Sequence, residues 1–353
     1  MTETRPLLHF TKLRYYNLTD TILEETSDSN VSDLSYKNTE ETMTSAFTEI
    51  PVIDFGPFIN GTLEEKTQVA EEIGSACRQV GFFYLKNYGI PPEVTENAFD
   101  QVRRYFSLPL EEKMASVVGE VGTETRGYSS MFEQKLDEKT ADRKESFHIG
   151  FELSANDEYR VKHGLLCYGP NIWPKNLPVL QLAHRVLQAF ALALHLPEDY
   201  FAPFLIEKPM VEFSVYYYPP QPKVDDSNQI GCGEHTDYGC FSLLSQTSVN
   251  ALQVKNTKGE WIDAKPIENT IVVNIADTMQ RWTNDTFVST VHRVINRSDK
   301  DRYSLAFFFG SDYFAKVECL PSCCNSERPA KYESVLAGEY IEGKIQKMLM
   351  PRN

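Results

Sequence analysis

Two of the seven histidines in this 353-residue chain fall in runs of alternating, strand-like character. His235 sits in Gly233-Glu234-His235-Thr236-Asp237, and His292 in Ser289-Thr290-Val291-His292-Arg293-Val294. Residues two apart on an extended chain face the same side, so His235 and Asp237 present an imidazole and a carboxylate toward one point. His292 follows 55 residues after Asp237. Two imidazoles and one carboxylate are the ligand set of a non-haem Fe(II) centre, which leaves three coordination positions open. Two of these can chelate an organic co-substrate and the third can take O2. A His-x-Asp triplet alone is equally the mark of a hydrogen-bonded surface segment, so a second pattern carries weight. Arg302-Tyr303-Ser304 opens another strand-like run ten residues after His292. A guanidinium fork and a hydroxyl on one face form a carboxylate receptor. The neighbouring Phe307, Phe308 and Phe309 place it toward an interior, whereas a surface ion pair with Asp299 or Asp301 would use the same arginine.

These residues need a scaffold, and the chain offers one in two textures. From Val211 onward, β-branched and aromatic runs cover 211–218, 241–245, 251–254, 270–275, 289–295 and 303–309, separated by turn residues. Short strands at that spacing predict an antiparallel sandwich or barrel. The preceding part reads as mostly helical. A capping box, Thr62-Leu63-Glu64-Glu65, opens a helix with Val69, Ile73, Ala76, Cys77 and Val80 on its apolar face. Pro91-Pro92 opens a second helix ending near Tyr105-Phe106, and Trp173-Pro174 a third with a stripe of Ala183, Val186, Leu187, Phe190 and Leu194. Ile50–Phe55 and Gly81–Leu85 read as short strands. Residues 112–147 read as polar, with a turn at Arg126-Gly127-Tyr128.

At this point the chain resembles the 2-oxoglutarate and Fe(II)-dependent dioxygenases of the isopenicillin N synthase-like class, over roughly residues 50–335. The family pattern is His-x-Asp, a distal His about fifty-five residues on, and Arg-x-Ser about ten further. Ile50-Pro51-Val52-Ile53-Asp54-Phe55, Gly81-Phe82-Phe83-Tyr84, Tyr217-Tyr218-Pro219-Pro220, Asp237-Tyr238-Gly239, Leu252-Gln253-Val254 and Val273-Asn274-Ile275-Ala276-Asp277 fit as well. The texture is similar to the fungal and bacterial branch that includes thymine hydroxylase and secondary-metabolite hydroxylases. The resemblance implies a mixed α/β fold, a double-stranded β-helix (jelly-roll, cupin-like) core with a helical N-terminal region packed on it. It implies Fe(II) on His235, Asp237 and His292, and O2 and 2-oxoglutarate as co-substrates. The co-substrate would lie against Arg302, Ser304 and Tyr218. Many relatives carry Asn-Tyr-Tyr-Pro where this chain has Tyr216-Tyr217-Tyr218-Pro219, so Tyr216 replaces a contacting Asn, and Tyr217 reads as packing. Arg126, Tyr128, Phe147 and His148 are candidates for the substrate wall. Lys144 is a further candidate, and Lys144-Glu145 equally a structural ion pair. The implied reaction is oxidation of an unactivated C–H bond of a small organic substrate, with release of succinate and CO2. Hydroxylation is the foremost outcome, with desaturation or cyclisation as others, in secondary metabolism.

Residues 19–49 stand apart: twenty-two of these thirty-one are Ser, Thr, Asn, Asp or Glu, and eight acids against one Lys contribute -7 of the net charge of -15. Such a stretch cannot bury enough apolar surface to offset its ordering entropy, so 1–49 reads as a disordered extension. The regions then expected are 50–165, an N-terminal dioxygenase region; 166–207, linking helices; 208–315, the jelly-roll; and 316–353, a C-terminal segment. The acidic balance argues against nucleic-acid partners and anionic membrane surfaces, and no apolar run reaches transmembrane length. Seven scattered cysteines fit a reduced, cytoplasmic setting better than a disulfide scaffold. Oligomeric state leaves no mark in the sequence. Two other readings use the same residues: an oxoglutarate-independent Fe(II) oxidase of the isopenicillin N synthase type, and a non-enzymatic metal-binding β-barrel.

Overall fold

The computed structural model describes residues 46–117, 125–134, 136, 141–151, 153–154, 156–163, 168–170, 192, 197, 200, 208–221 and 230–349. The expected extension over 1–49, except its last four residues, lies outside the described residues, as does most of the linking segment over 166–207. Among the described residues, core contacts begin at Phe47, which packs against buried apolar residues and whose carbonyl accepts from Asn256 Nδ2 at 3.1 Å.

In chain order the first elements are β1 (Val52–Asp54), α1 (Gly56–Asn60), α2 (Leu63–Gln79), β2 (Phe82–Lys86), α3 (Pro92–Phe106), α4 (Leu110–Met114), β3 (Gly127–Ser129), β4 (Glu145–Gly150) and α5 (Glu158–His163). They are followed by β5 (Pro209–Tyr218), β6 (Cys232–His235), β7 (Phe241–Gln246), β8 (Leu252–Lys255), β9 (Trp261–Asp263), β10 (Thr270–Ile275) and α6 (Asp277–Trp282). The last are β11 (His292–Val294), β12 (Arg302–Asp312), β13 (Lys316–Val317), β14 (Val335–Leu336) and α7 (Ala337–Leu349). Helix α2 starts where the capping box requires: Thr62 accepts from the Glu65 amide while the Glu65 carboxylate returns to the Thr62 amide. Its apolar face, including Val69, Ile73 and Cys77, is buried.

An eight-stranded sheet runs β1-β2-β10-β7-β12-β5-β4-β3, and a four-stranded sheet runs β6-β11-β8-β9. One buried cluster joins Phe82, Tyr84, Tyr218 and Val272 of the large sheet to Cys232, Leu252, Val254 and Val294 of the small one, so the two pack face to face. This is the jelly-roll core, with α2 and α3 packed outside it. Two details differ from the sequence reading. The run 289–295 pairs only over His292–Val294, because Ser289 and Thr290 bond elsewhere: the Ser289 amide to Gln280 Oε1, the Thr290 hydroxyl to the Val80 carbonyl. The stretch 112–147, read as polar with a turn at Arg126-Gly127-Tyr128, instead supplies β3, which takes in Gly127 and Tyr128, and the start of β4, and these extend the large sheet beyond β5. Among the described residues no helix is long and apolar enough to cross a membrane.

Gly81, between α2 and β2, has φ +71°, and a Cβ there would lie 2.2 Å from the Val288 carbonyl oxygen. Gly81→Ala combines left-handed strain with a backbone clash. Its expected cost is about 2–5 kcal/mol, readable as a lowered denaturant midpoint; an unchanged midpoint would mean that the approach of Val288 relaxes freely.

Candidate active site

His235 and His292 meet because β6 and β11 pair antiparallel with these two residues directly opposite each other, their ring centroids 4.2 Å apart. Asp237 lies just past the end of β6, yet its Oδ1 stands 3.7 Å from His235 Nε2 and 3.6 Å from His292 Nε2. One donor atom from each of the three falls within 4.8 Å of the others. Each ring is aimed by its other nitrogen: His235 Nδ1 donates to the Gly233 carbonyl at 2.7 Å, and His292 Nδ1 to the Thr290 carbonyl at 3.1 Å. A carbonyl only accepts, so Nδ1 keeps its proton in both rings and Nε2 turns its lone pair toward Asp237. The second carboxylate oxygen, Oδ2, accepts from Ser242 Oγ and from Asn274 Nδ2 at 2.8 Å. Burial pushes the Asp237 carboxyl up, but His292, His235 and the bonds from Asn274 and Ser242 outweigh it and hold it below its ordinary value. Burial, aided by the neighbouring His235, lowers His292 to about 4. A carboxylate beside two imidazoles, each with its outer nitrogen engaged, suits a divalent cation that takes N and O donors.

Arg302, the first residue of β12, is fully buried. Its Nη2 donates to Gln246 Oε1 at 3.0 Å and its Nη1 to Ser304 Oγ at 3.4 Å, while Cζ lies 4.9 Å from the centre of the Tyr218 ring. Arg302 Nε has no partner, and no carboxylate of the described residues forms an ion pair with this guanidinium. Asp301 instead accepts from the Tyr217 hydroxyl at 3.0 Å, so the surface ion-pair reading of Arg302 fails. A buried cation lacking an anion, beside two hydroxyl-bearing side chains, is what a ligand carboxylate would complete. Burial pushes the Tyr218 hydroxyl up to about 12, so it stays a donor at neutral pH.

The metal-type trio and Arg302 line the same chamber, a cavity of about 280 Å³ between the two sheets. Phe82, Leu244, Leu252 and Val294 supply apolar wall, and Ile341 and Ile345 of α7 close one side. Helix α7 is held there by Asp277, whose Oδ2 accepts from Lys344 Nζ at 2.9 Å and Tyr340 Oη at 3.0 Å, and whose amide donates to the Asp237 carbonyl at 2.9 Å.

The four expected wall residues divide two and two: adjacent positions on β4 send His148 and Phe147 to opposite faces, while Arg126 precedes β3 and Tyr128 lies within it. Arg126 and His148 line the chamber. His148 Nδ1 stands 3.0 Å from Glu212 Oε1, and Arg126 Nη1 3.5 Å from Glu212 Oε2. Tyr128 and Phe147 do not reach it. They are register partners on β3 and β4 and turn to the opposite face, buried against Phe99, Val102 and Phe106 of α3. Lys144 and Glu145 likewise face opposite ways: Lys144 pairs with Asp142 at 2.8 Å and Glu145 with Lys113 at 2.6 Å. Tyr217 stacks on Tyr303 at 5.2 Å, away from the chamber. The sequence reading did not single out Gln246, Ser242, Asn274 or Glu212. The available signal was a polar residue at an inward-facing position of an otherwise apolar strand.

The Tyr128 hydroxyl donates to Glu145 Oε2 at 2.8 Å. Tyr128→Phe is therefore expected to lower stability by about 0.5–1.5 kcal/mol and to leave the KM for the oxidised substrate unchanged. A several-fold rise in that KM would return Tyr128 to the substrate wall.

Comparison with known proteins agrees with this geometry. Residues 50–176 match the family model described as the N-terminal region of a non-haem dioxygenase in morphine synthesis, and residues 212–311 match that of the 2OG-Fe(II) oxygenase superfamily. The 2-oxoglutarate-Fe(II) type oxidoreductase hxnY of Emericella nidulans is 36% identical over 311 residues, covering 83% of this chain and 88% of its own. A homoarginine-6-hydroxylase of Oryza sativa is 34% identical over 332 residues, covering 86% of this chain and 98% of its own. The crystal structure of the full-length thymine hydroxylase of Neurospora crassa with alpha-KG superposes with a TM-score of 0.71 at 32% identity, covering 84% of this chain and 96% of that one. A second structure of the same Neurospora enzyme holds alpha-KG and thymine, with a TM-score of 0.70 at 31% identity, covering 85% and 96%. The chain belongs to the 2OG-Fe(II) oxygenase superfamily. It is a 2-oxoglutarate-dependent dioxygenase that uses Fe(II), 2-oxoglutarate and O2.

Proposed function

We propose that the protein hydroxylates an unactivated C–H bond of a small organic molecule, in the cytoplasm and in secondary metabolism. His235, Asp237 and His292 hold the Fe(II), while Arg302, Ser304 and Tyr218 hold the far carboxylate of 2-oxoglutarate. The observation that carries this reading is the single chamber of about 280 Å³ shared by the His/Asp/His trio and the buried arginine that lacks an acid. Bound Fe(II) would supply oxidation by O2, coupled to decarboxylation of 2-oxoglutarate to succinate and CO2. The chain's own residues do the rest. Arg302 fixes the co-substrate by a charged, directional contact, and the Tyr218 hydroxyl donates rather than ionises. Phe82, Leu244, Leu252 and Val294 keep the chamber apolar and exclude water. Arg126 and His148 give the wall above the trio a polar patch for orienting the substrate. Support for a small-molecule substrate comes from the relatives' names and from the thymine in one of the Neurospora structures.

The test supplies Fe(II), 2-oxoglutarate, labelled O2 and a panel of small heterocyclic and amino-acid substrates, and follows succinate and product mass. One succinate per product, with one labelled oxygen in the product, is the expected result. A product two hydrogens lighter, at the same succinate ratio, would replace hydroxylation by desaturation or cyclisation. Oxidation without succinate would establish the oxoglutarate-independent alternative.

A further inference from the structure

The two histidines are supported unequally by the sheet. Strand β11, which carries His292, is flanked on both sides, by β6 and by β8. Strand β6, which carries His235, is an edge strand: among the described residues it has β11 on one side and no strand on the other. An edge strand presents unpaired amides and is the easier one to displace. Here the open edge meets the segment that leads into β4. Asp142 Oδ1 accepts from the Gly233 amide at 2.9 Å, and the Arg143 amide donates to the Ile230 carbonyl at 2.9 Å. Gly233 is the residue whose carbonyl fixes His235 Nδ1 at 2.7 Å.

Asp142 is itself held. Its Oδ2 accepts from Lys144 Nζ at 2.8 Å, its amide donates to the Gln134 carbonyl at 2.8 Å, and its carbonyl accepts from the Phe132 amide at 3.2 Å. Lys144 Nζ also lies 3.4 Å from Cys232 Sγ, the residue before Gly233, and 5.4 Å from the centre of the Tyr216 ring. Asp142 and Lys144 are 1% and 3% exposed; Lys144 also lines the chamber that holds Arg302 and Tyr218, and neither residue belongs to the ligand trio. A fully buried ion pair is a poor route to stability alone. Its position, stitching the open edge of the ligand-bearing strand, gives it another use.

We propose that Asp142 and Lys144 are positioning residues for the metal centre, acting through Gly233, whose amide Asp142 holds and whose carbonyl aims His235. The carboxylate replaces the missing neighbour strand, and the lysine fixes the carboxylate. The inference rests on His235 being a ligand, so the experiment separates the two. Anaerobic Co(II) titration of the full chain, followed by its visible absorption bands, reads metal affinity and ligand geometry without turnover. The wild type should bind one Co(II), and His235→Ala should not. Failure of that pair overturns the ligand reading and this inference with it. Given that pair, Asp142→Ala should weaken Co(II) binding about 10–100-fold with altered bands. Asp142→Asn, which keeps an acceptor for the Gly233 amide, should recover most of the affinity, and Lys144→Met should fall between. Ile73→Val, a buried change in α2 far from the strand, serves as the stability control and should bind Co(II) as the wild type does. Wild-type affinity in Asp142→Ala would overturn the proposal, and so would an equal loss in Ile73→Val. Should Asp142→Ala fail to fold, the ordering of Asp142→Asn above Lys144→Met decides, and the reverse order overturns it.

Discussion

Replacing Arg302 by alanine should raise the KM for 2-oxoglutarate by roughly 10²–10³-fold, with a far smaller change in the KM for the oxidised substrate. Removing one member of a buried charge pair typically costs ~3–5 kcal/mol, because the other is left desolvated and unpaired. Arg302 meets the conditions for such a cost: it is fully buried, faces Ser304 and Gln246 rather than an acid, and leaves Nε without a partner. Arg302→Lys should keep part of the affinity, since a point charge remains but the planar fork is lost. Ser304→Ala removes one hydrogen bond to a charged group, about 1.5–3 kcal/mol, and should do less than Arg302→Ala. Initial rates of succinate release against 2-oxoglutarate concentration measure all three. An unchanged 2-oxoglutarate KM in Arg302→Ala would place the carboxylate receptor elsewhere and favour an oxoglutarate-independent reaction.

Replacing His292 by alanine should abolish both Fe(II) binding and 2-oxoglutarate decarboxylation while the chain still folds, because β11 keeps its pairing with β6 and β8 through the backbone. Titration supplies an independent check on the metal-free protein. Burial holds the folded-state pKa of His292 at about 4, below the unfolded value of about 6.5. Between those values the unfolded chain binds more protons than the folded one, so stability falls as pH drops from about 6.5 toward 4. Above about 6.5 both states are neutral and the effect vanishes. His292→Ala should flatten that acid slope. Retained iron and full turnover in the variant, or an unaltered slope, would show that His292 is neither the ligand nor the buried neutral imidazole described here.

The site was legible where chemistry and strand parity coincide. His235 with Asp237, and Arg302 with Ser304, could be paired from their spacing because an i, i+2 relation has one structural meaning on an extended chain. The wall was legible only by half. Without a strand assigned over Glu145–Gly150, nothing separated His148 from Phe147, and the two turned to opposite faces once β4 paired with β5. Asn274 and Ser242 stayed hidden for a different reason: their role is to satisfy the second oxygen of Asp237, and such a contact exists only after β10 and β7 are neighbours. The stitch from Asp142 to Gly233 spans 91 residues, a separation at which sequence carries no pairing information. Helix α7 offered an amphipathic pattern, yet nothing local says that Ile341 and Ile345 face the chamber.

The placement of β2 has a consequence for how the chain must be made. Its neighbours in the sheet are β1, immediately upstream, and β10, with Phe82 set against Asn274. During synthesis β2 leaves the ribosome long before its second partner exists. At ~5–20 residues per second, the intervening ~190 residues take roughly 10–40 s to appear. Throughout that interval Phe82, Phe83 and Leu85 belong to an unfinished sheet with an open apolar edge. The nascent N-terminal part is therefore a natural client for a chaperone. A fragment ending before Thr270 should aggregate rather than fold, however well its boundaries match a family model.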